Sequence, residues 1–285
     1  MDYNYHAHTK YCRHASDEPE EYVQKSIENG IKFMGFSEHS PFIFPDGFES
    51  HYRILTECVP EYLAECKRLR KKYQDKLDLK IGYEMEYYAP YFPAMLKTVL
   101  EADAEYLILG QHHIRHEHPD DPPSIIETEV ANDLIDYVNS LIEGIKTGVY
   151  SYVAHPDLIN YRGPNEDLYT EQMEKLCRTS STYNIPLEYN FAGVRINRHY
   201  PGDRFFQIAG RIGCPVTFGM DSHGKDEAYD KETLKTGIEM VKKHHLNYIG
   251  MPKLILLQPQ KEALYQKFRL DAVTLTTHDK KGESK

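Results

Sequence analysis

Tryptophan is absent from this chain, and its five cysteines (Cys12, Cys58, Cys66, Cys177 and Cys214) form no CxxC pair. An odd, dispersed set of thiols argues against a disulfide framework and predicts reduced cysteines in a cytoplasmic protein. Long apolar runs are missing too. No stretch approaches the roughly 18 residues that a membrane-spanning helix needs, and the opening MDYNYHAH has neither the basic nor the apolar region of a secretion signal. Basic charge is scarce, with 34 Lys and Arg against 44 Asp and Glu and a net charge of -10. That balance argues against an extended nucleic-acid footprint, while leaving room for a local basic pocket. GxxxxGK[ST], GxGxxG, GxSxG and a CxxxxxR phosphatase loop do not occur. Nucleotide-loop, serine-nucleophile and cysteine-nucleophile chemistries therefore lack support.

Histidine and tyrosine are plentiful instead, 15 and 23 among 285 residues. Histidine is the commonest metal ligand and proton carrier. A chain of this length needs no metal merely to fold, so a metal site would be there for chemistry.

Strand-like runs alternate with helical periods. Strands are expected at Tyr3–Tyr5, Phe33–Ser37, Leu79–Met85, Tyr106–Leu109, Tyr150–Ala154, Pro186–Tyr189 and Val216–Gly219, with helices near 18–29, 57–75, 90–102, 129–147, 168–184, 203–212 and 228–243. Ser16 or Asp17 is the expected cap of the first helix, with Pro19 in its first turn. The alternation predicts parallel βα units closing into one barrel domain over residues 1–285, with the last eight residues, HDKKGESK, as a frayed tail. An open doubly wound sheet is the competing arrangement. The loops at 40–56 and 114–128 are long enough to cover a site.

Polar chemistry falls at the strand ends. His6 and His8 follow the first, His39 the second, Glu84 closes the third, and His112 and His113 follow the fourth. His155 follows the fifth, Glu188 and Asn190 end the sixth, and Asp221 and His223 end the seventh. In a parallel barrel these positions share the C-terminal rim, where barrel active sites sit. Each motif alone is weak, since a lone HxH or a lone histidine is usually structural. Their conjunction suits a multinuclear site of divalent ions, and the number of ligands makes three ions plausible. His51, His199, His244, His245 and His278 are scattered and read as surface residues.

HxHTxxxxH near the start, EH after the second strand, the glutamate on the third, then GxxH, HPD and MDSH resemble the PHP (polymerase and histidinol phosphatase) metal-dependent phosphoesterases. HAHTKYCRHASDEPEEYV, FSEHSP and LEYNFAGVR are similar to the single-domain histidinol-phosphate phosphatase branch. The resemblance implies a distorted (β/α)7 TIM-like barrel holding three divalent ions (Zn, Mn or Fe). It implies His6, His8, Glu84 and Asp221 on one, bridging Glu84 with His113 and His155 on a second, and His14, His39 and His223 on the third. In GQHH the family register points to His113, and strand alternation turns His112 the other way.

Two ions sharing Glu84 would lower the pKa of a shared water and supply hydroxide to a phosphomonoester, while the third would bind phosphoryl oxygens. Asp221 and a metal-bound water are both candidates to protonate the leaving alkoxide. Arg162 and Arg195, just beyond strand ends, are expected to clamp the phosphate. His39 is expected beside the substrate, and Asp17 is either a contact for its ammonium group or a helix cap. The leading expectation is hydrolysis of L-histidinol phosphate in histidine biosynthesis. A PHP-type esterase for a nucleotide, oligonucleotide or phosphotyrosine is the second, and a non-catalytic metal-binding barrel the third.

Overall fold

The computed structural model describes residues 1–117 and 121–277, so His278 and the rest of the expected tail lie outside the described residues. The elements run β1 (Tyr3–Asn4), α1 (Pro19–Glu28), β2 (Phe33–His39), α2 (Val59–Tyr73), β3 (Asp78–Glu84), α3 (Phe92–Glu101), β4 (Tyr106–Leu109) and α4 (Ala131–Thr147). They continue with β5 (Tyr150–Val153), α5 (Glu166–Tyr183), β6 (Leu187–Asn190), α6 (Phe191–Arg195), α7 (Asp203–Ile212), β7 (Pro215–Gly219), α8 (Lys231–His244), β8 (Asn247–Tyr248) and α9 (Lys261–Phe268). Among the described residues no helix is long and apolar enough to cross a membrane.

The strands form one sheet, paired in parallel in chain order from β1 to β8. Sheet and helices together make a distorted TIM-like α/β barrel. Seven strands were expected. The eighth is a two-residue ribbon on β7, too short to leave a periodic signal. The rim between the first and seventh strands is joined by a parallel bridge of Ala7 to Ser222, where the His8 amide donates to the Ser222 carbonyl at 2.8 Å. The chain just after β1 is thereby stitched to the chain just after β7, and His6 and His8 are set beside Asp221.

Two apolar layers hold the frame. The larger packs helices on the outer face, with Leu96, Val138, Met173 and Phe206 buried against it. The smaller joins Tyr3, Tyr5, Tyr106, Ile108, Tyr152 and Ala154 beneath the rim. Gly35 and Gly82 make room there, because a Cβ on either would fall 2.2 or 2.3 Å from the Tyr106 side chain. Tyr106 donates its hydroxyl to the Tyr5 carbonyl at 2.8 Å, so the phenol fills space and satisfies a buried acceptor together. Such a use accounts for part of the tyrosine excess.

The first helix is capped differently from expectation. Glu18 is the N-cap and forms a capping box with Glu21, while Asp17 sits at φ 68° and accepts from the Lys225 amide at 3.0 Å. A shorter side chain was not needed, because the carboxylate of Glu18 reaches the same N3 amide.

Candidate metal centre

Glu84, at the end of β3, is the hub of the rim. Its Oε2 lies 3.3 Å from His8 Nε2, 3.3 Å from His39 Nδ1 and 3.5 Å from His6 Nε2. Its Oε1 faces His155 Nε2 at 2.9 Å and His112 Nε2 at 3.4 Å. Asp221 Oδ1 closes the other side, 3.4 Å from His6 Nε2 and 3.5 Å from His8 Nε2. Glycine permits the crowding at one point, since a Cβ on Gly110 would stand 1.9 Å from Glu84 Oε1.

Each of five rings has one nitrogen tied to an acceptor behind it. His6 Nδ1 meets Glu188 Oε1 at 2.8 Å, and His112 Nδ1 meets Glu86 Oε1 at 2.8 Å. His14 Nδ1 faces the Cys12 carbonyl at 2.9 Å, and His223 Nδ1 the Asp221 carbonyl at 3.3 Å. His113 is the fifth, its Nδ1 3.2 Å from the Asp121 carbonyl. An acceptor behind Nδ1 keeps the proton there and leaves Nε2 with a free lone pair. The Nε2 atoms of His14 and His223 then face one another at 2.9 Å, a repulsive meeting of lone pairs unless a cation joins them.

The same logic extends to the buried hub. Among the described residues, His6 Nε2, both nitrogens of His8, His39 Nδ1 and Glu84 Oε2 are buried with no hydrogen-bond partner, and Glu84 Oε1 has only His155 Nε2 within reach, at 2.9 Å. Orphaned donors and acceptors at this density are costly in a folded chain. Here they are lone pairs of borderline and hard ligands converging on shared points, a donor set that fits divalent ions. Three such convergences are His6, His8 and Asp221; His6, Glu84 and His155; and His39, Glu84 and His112.

Electrostatics follow the same geometry. Burial works against ionisation of Glu84, yet the facing His112, His6 and His39 outweigh it and hold the carboxyl well below its ordinary range. Burial likewise opposes charge on Asp221, and His6 and His8 overcome it. Asp221, Glu188 and Glu84 override desolvation and push His6 well above an ordinary imidazole, and Asp221 and Glu84 push His8 up to about 9, so the carboxylates demand positive charge at these nitrogens, which either a proton or a divalent ion can supply. His39 and His223 go the other way. Burial keeps both neutral, helped at His223 by the neighbouring His8, and His223 falls to about 3.

Placement of the expected residues is uneven. His6, His8, His14, His39, Glu84, His155, Asp221 and His223 are brought together. At GQHH the ring that meets Glu84 is His112, not His113. β4 ends at Leu109, so alternation no longer applies at His112, and His113 is held in a hairpin bridge to Pro123. Arg195 hangs its Nη2 on the Asp221 carbonyl at 2.7 Å, leaving buried Nε and Nη1 unpartnered. Arg162 is exposed, with Nε donating to Asn160 at 3.0 Å, and is not gathered with the histidines. Asp17 is occupied by the Lys225 amide and lies off the cavity.

A cavity of about 480 Å³ opens over the cluster, walled by Tyr52, Ile125, Leu158 and Tyr200. His51, expected on the surface, is exposed but lines it. His199 and His244 are engaged elsewhere, with the Leu158 carbonyl and Asp203. Sequence reasoning placed Glu188 at a strand end without giving it a role, and missed two further supporting carboxylates, Glu86 and Glu38. Glu188 joins His6 to the His155 amide; Glu86 backs His112; buried Glu38 accepts from the Thr9 amide at 2.8 Å. The Glu84-Met-Glu86 spacing was the available signal for Glu86.

A family model for the PHP domain matches residues 4–192. A curated relative from Deinococcus radiodurans, named "Probable histidinol-phosphatase", is 27% identical over 229 residues, covering 78% of this chain and 86% of its own length. The histidinol-phosphatase of Lactococcus lactis is 24% identical over 236 residues, covering 78% and 84%. Among solved structures, the L. lactis histidinol phosphate phosphatase complexed with Zn, L-histidinol and phosphate superposes with a TM-score of 0.64 at 21% identity, covering 87% of this chain and 95% of that one. With the family model spanning most of the barrel and its histidines gathered on one rim, the chain belongs to the PHP domain family.

Proposed function

We propose that this protein is a metal-dependent phosphomonoesterase that hydrolyses L-histidinol phosphate to L-histidinol and phosphate. The observation that carries the reading is the convergence of orphaned imidazole nitrogens on Glu84 and Asp221 beneath a small-molecule cavity. The names of the curated relatives, and the Zn, L-histidinol and phosphate held by the L. lactis enzyme, support the substrate.

In this reading three divalent ions are held. His6, His8, Asp221 and Glu84 hold one, Glu84 with His112 and His155 another, and His14, His39 and His223 the third. When bound, the ions supply Lewis acidity and lower the pKa of water. The chain's own groups do the rest. Glu188 and Glu86 fix the rings of His6 and His112. Arg195 is not itself a wall of the cavity but hangs on its Asp221, and among the described residues its buried Nε and Nη1 have no partner, which leaves them for phosphoryl oxygens, a task suited to a guanidinium fork. Because Arg162 is exposed and bonded to Asn160, the phosphate contact is assigned to Arg195 alone. Tyr52, Leu158 and Tyr200 exclude water from the side where the alcohol part would lie. Asp221, held ionised by the facing His6 and His8, is suited to hold a cation and not to carry the proton that the leaving alkoxide needs.

The test is phosphate release by zinc- and manganese-loaded protein across histidinol phosphate, nucleotides and phosphotyrosine. A kcat/KM at least tenfold higher for histidinol phosphate is expected. Equal rates across the panel would remove the substrate assignment, and fewer than two ions per reconstituted chain would remove the metal-dependent mechanism.

A further inference from the structure

Among the described residues, Arg53 is the largest fully buried side chain. Its guanidinium is used completely. Nε donates to Glu117 Oε2 at 2.8 Å, Nη2 bonds both Glu117 and Glu86, the latter at 2.5 Å, and Nη1 donates to the Ser40 carbonyl and hydroxyl at 3.0 and 2.9 Å. These partners come from separate places. Arg53 and Ser40 lie on the long connection after β2, Glu86 just past β3, and Glu117 on the long connection after β4. One side chain therefore fastens three adjoining βα connections beneath the cavity.

The network ends on the metal-facing rim. Glu86 gives Oε2 to Arg53 and Oε1 to His112 Nδ1, at 2.5 and 2.8 Å. With both oxygens fixed by donors on opposite sides, the carboxylate cannot rotate, and the His112 ring is aimed so that Nε2 points at Glu84 Oε1. The neighbouring His113 also lines the cavity and feels the charge of Glu117, but its Nδ1 meets the Asp121 carbonyl and its backbone is bridged to Pro123, whereas the ring that meets Glu84 is that of His112. The charge count is also directional. Two buried carboxylates face one guanidinium, an excess of one negative charge on the side of His112 away from Glu84. An imidazole backed by such a group is a stronger donor to a cation.

We propose that the Arg53–Glu86–Glu117 network is a positioning device that selects His112 over His113 as the imidazole presented to the Glu84 site, and that it ties this selection to the two long connections. Glu86 and Arg53 touch neither substrate nor reacting atoms; they act through His112. The inference rests on the metal reading above.

The experiment measures zinc per chain and zinc affinity, by competition with a chromophoric chelator, for the full chain and for H112Q, H113Q, E86Q and the charge-free triple variant R53M/E86Q/E117Q. The triple variant replaces a buried ionic cluster by groups of similar volume, a change folded proteins often tolerate, and so stands in should E86Q misfold. Loss of one zinc in H112Q, parental zinc in H113Q, and a weakening of that same zinc of about 10- to 100-fold in E86Q and in the triple variant are expected. Full zinc in H112Q overturns the ligand assignment beneath the proposal. Loss of zinc in H112Q with parental affinity in E86Q and the triple variant overturns the proposal alone, leaving the network as packing. Loss of that zinc in H113Q overturns the selection.

Discussion

Arg195 Nη2 donates to the main-chain oxygen of Asp221 at 2.7 Å, so the cation proposed to bind phosphate hangs on the residue whose carboxylate faces His6 and His8. Glu227 accepts from Arg195 at 3.3 Å and from the amide of His223, two residues past Asp221, at 2.7 Å. Replacing Arg195 by Ala is expected to lower kcat/KM for histidinol phosphate about 10²- to 10³-fold, the loss typical of one preorganised donor group. Zinc content should be unchanged. Lysine should restore little, because the three N–H groups of an ammonium radiate from one nitrogen and cannot span the carbonyl and the phosphoryl oxygens that the spread guanidinium fork reaches. Steady-state kinetics with metal analysis settles the point, and unaltered kinetics in the alanine variant would refute it.

His14 and His8 belong to one short segment yet face different partners. His14 Nε2 meets His223 Nε2, whereas His8 Nε2 meets Glu84 and Asp221. H14A should therefore release one zinc and leave those near Glu84 in place, while H8A should disturb the hub. Zinc-loaded difference crystallography distinguishes them. The same ion lost in both variants would show that the segment serves a single site.

Gly219 closes β7 against Glu188, and a Cβ there would stand 1.6 Å from Glu188 Oε1. G219A must displace that carboxylate from His6 and from the His155 amide. A loss of about 1–3 kcal/mol in unfolding free energy is expected from overpacking, together with weaker zinc binding. Urea titration and chelator competition measure the two effects, and parental values in both would contradict the steric argument.

Acid stability has a local source away from the rim. Glu20 on α1 is bound by Lys72, Tyr73 and Arg68 of α2, which pull its carboxyl down to about 2. The folded value lies below the unfolded one, so this contribution is fully present above about pH 4.5 and disappears as pH falls through about 2. E20Q should cost about 0.5–1 kcal/mol at pH 7, and its deficit against the parent should shrink between pH 4.5 and 3. A pH-independent deficit in urea unfolding would remove the ionic explanation.

Strand ends and helical periods were legible because burial imposes them, and all seven expected helices form within a few residues of their expected bounds. The short α6 and α9 left too little periodicity to detect. The HAH, SEH, HPD and DSH ligand candidates were legible because each ends or closely follows a strand. The departure at GQHH, where His112 and not His113 meets Glu84, arises where the chain leaves β4 and alternation stops carrying information. Arg53 was invisible for another reason. An arginine in HYRIL looks like any loop cation until the fold brings Glu86 and Glu117 around it.

The bridge from Ala7 to Ser222 joins segments with almost the whole barrel between them in sequence. Contacts of such separation are slow to form, because the intervening chain must be ordered first. On the proposed assignment, His6, His8 and Asp221 can grip an ion together only after that seam has closed. Zinc uptake would then serve as a clock for folding, reporting the last stitch of the sheet and not its first.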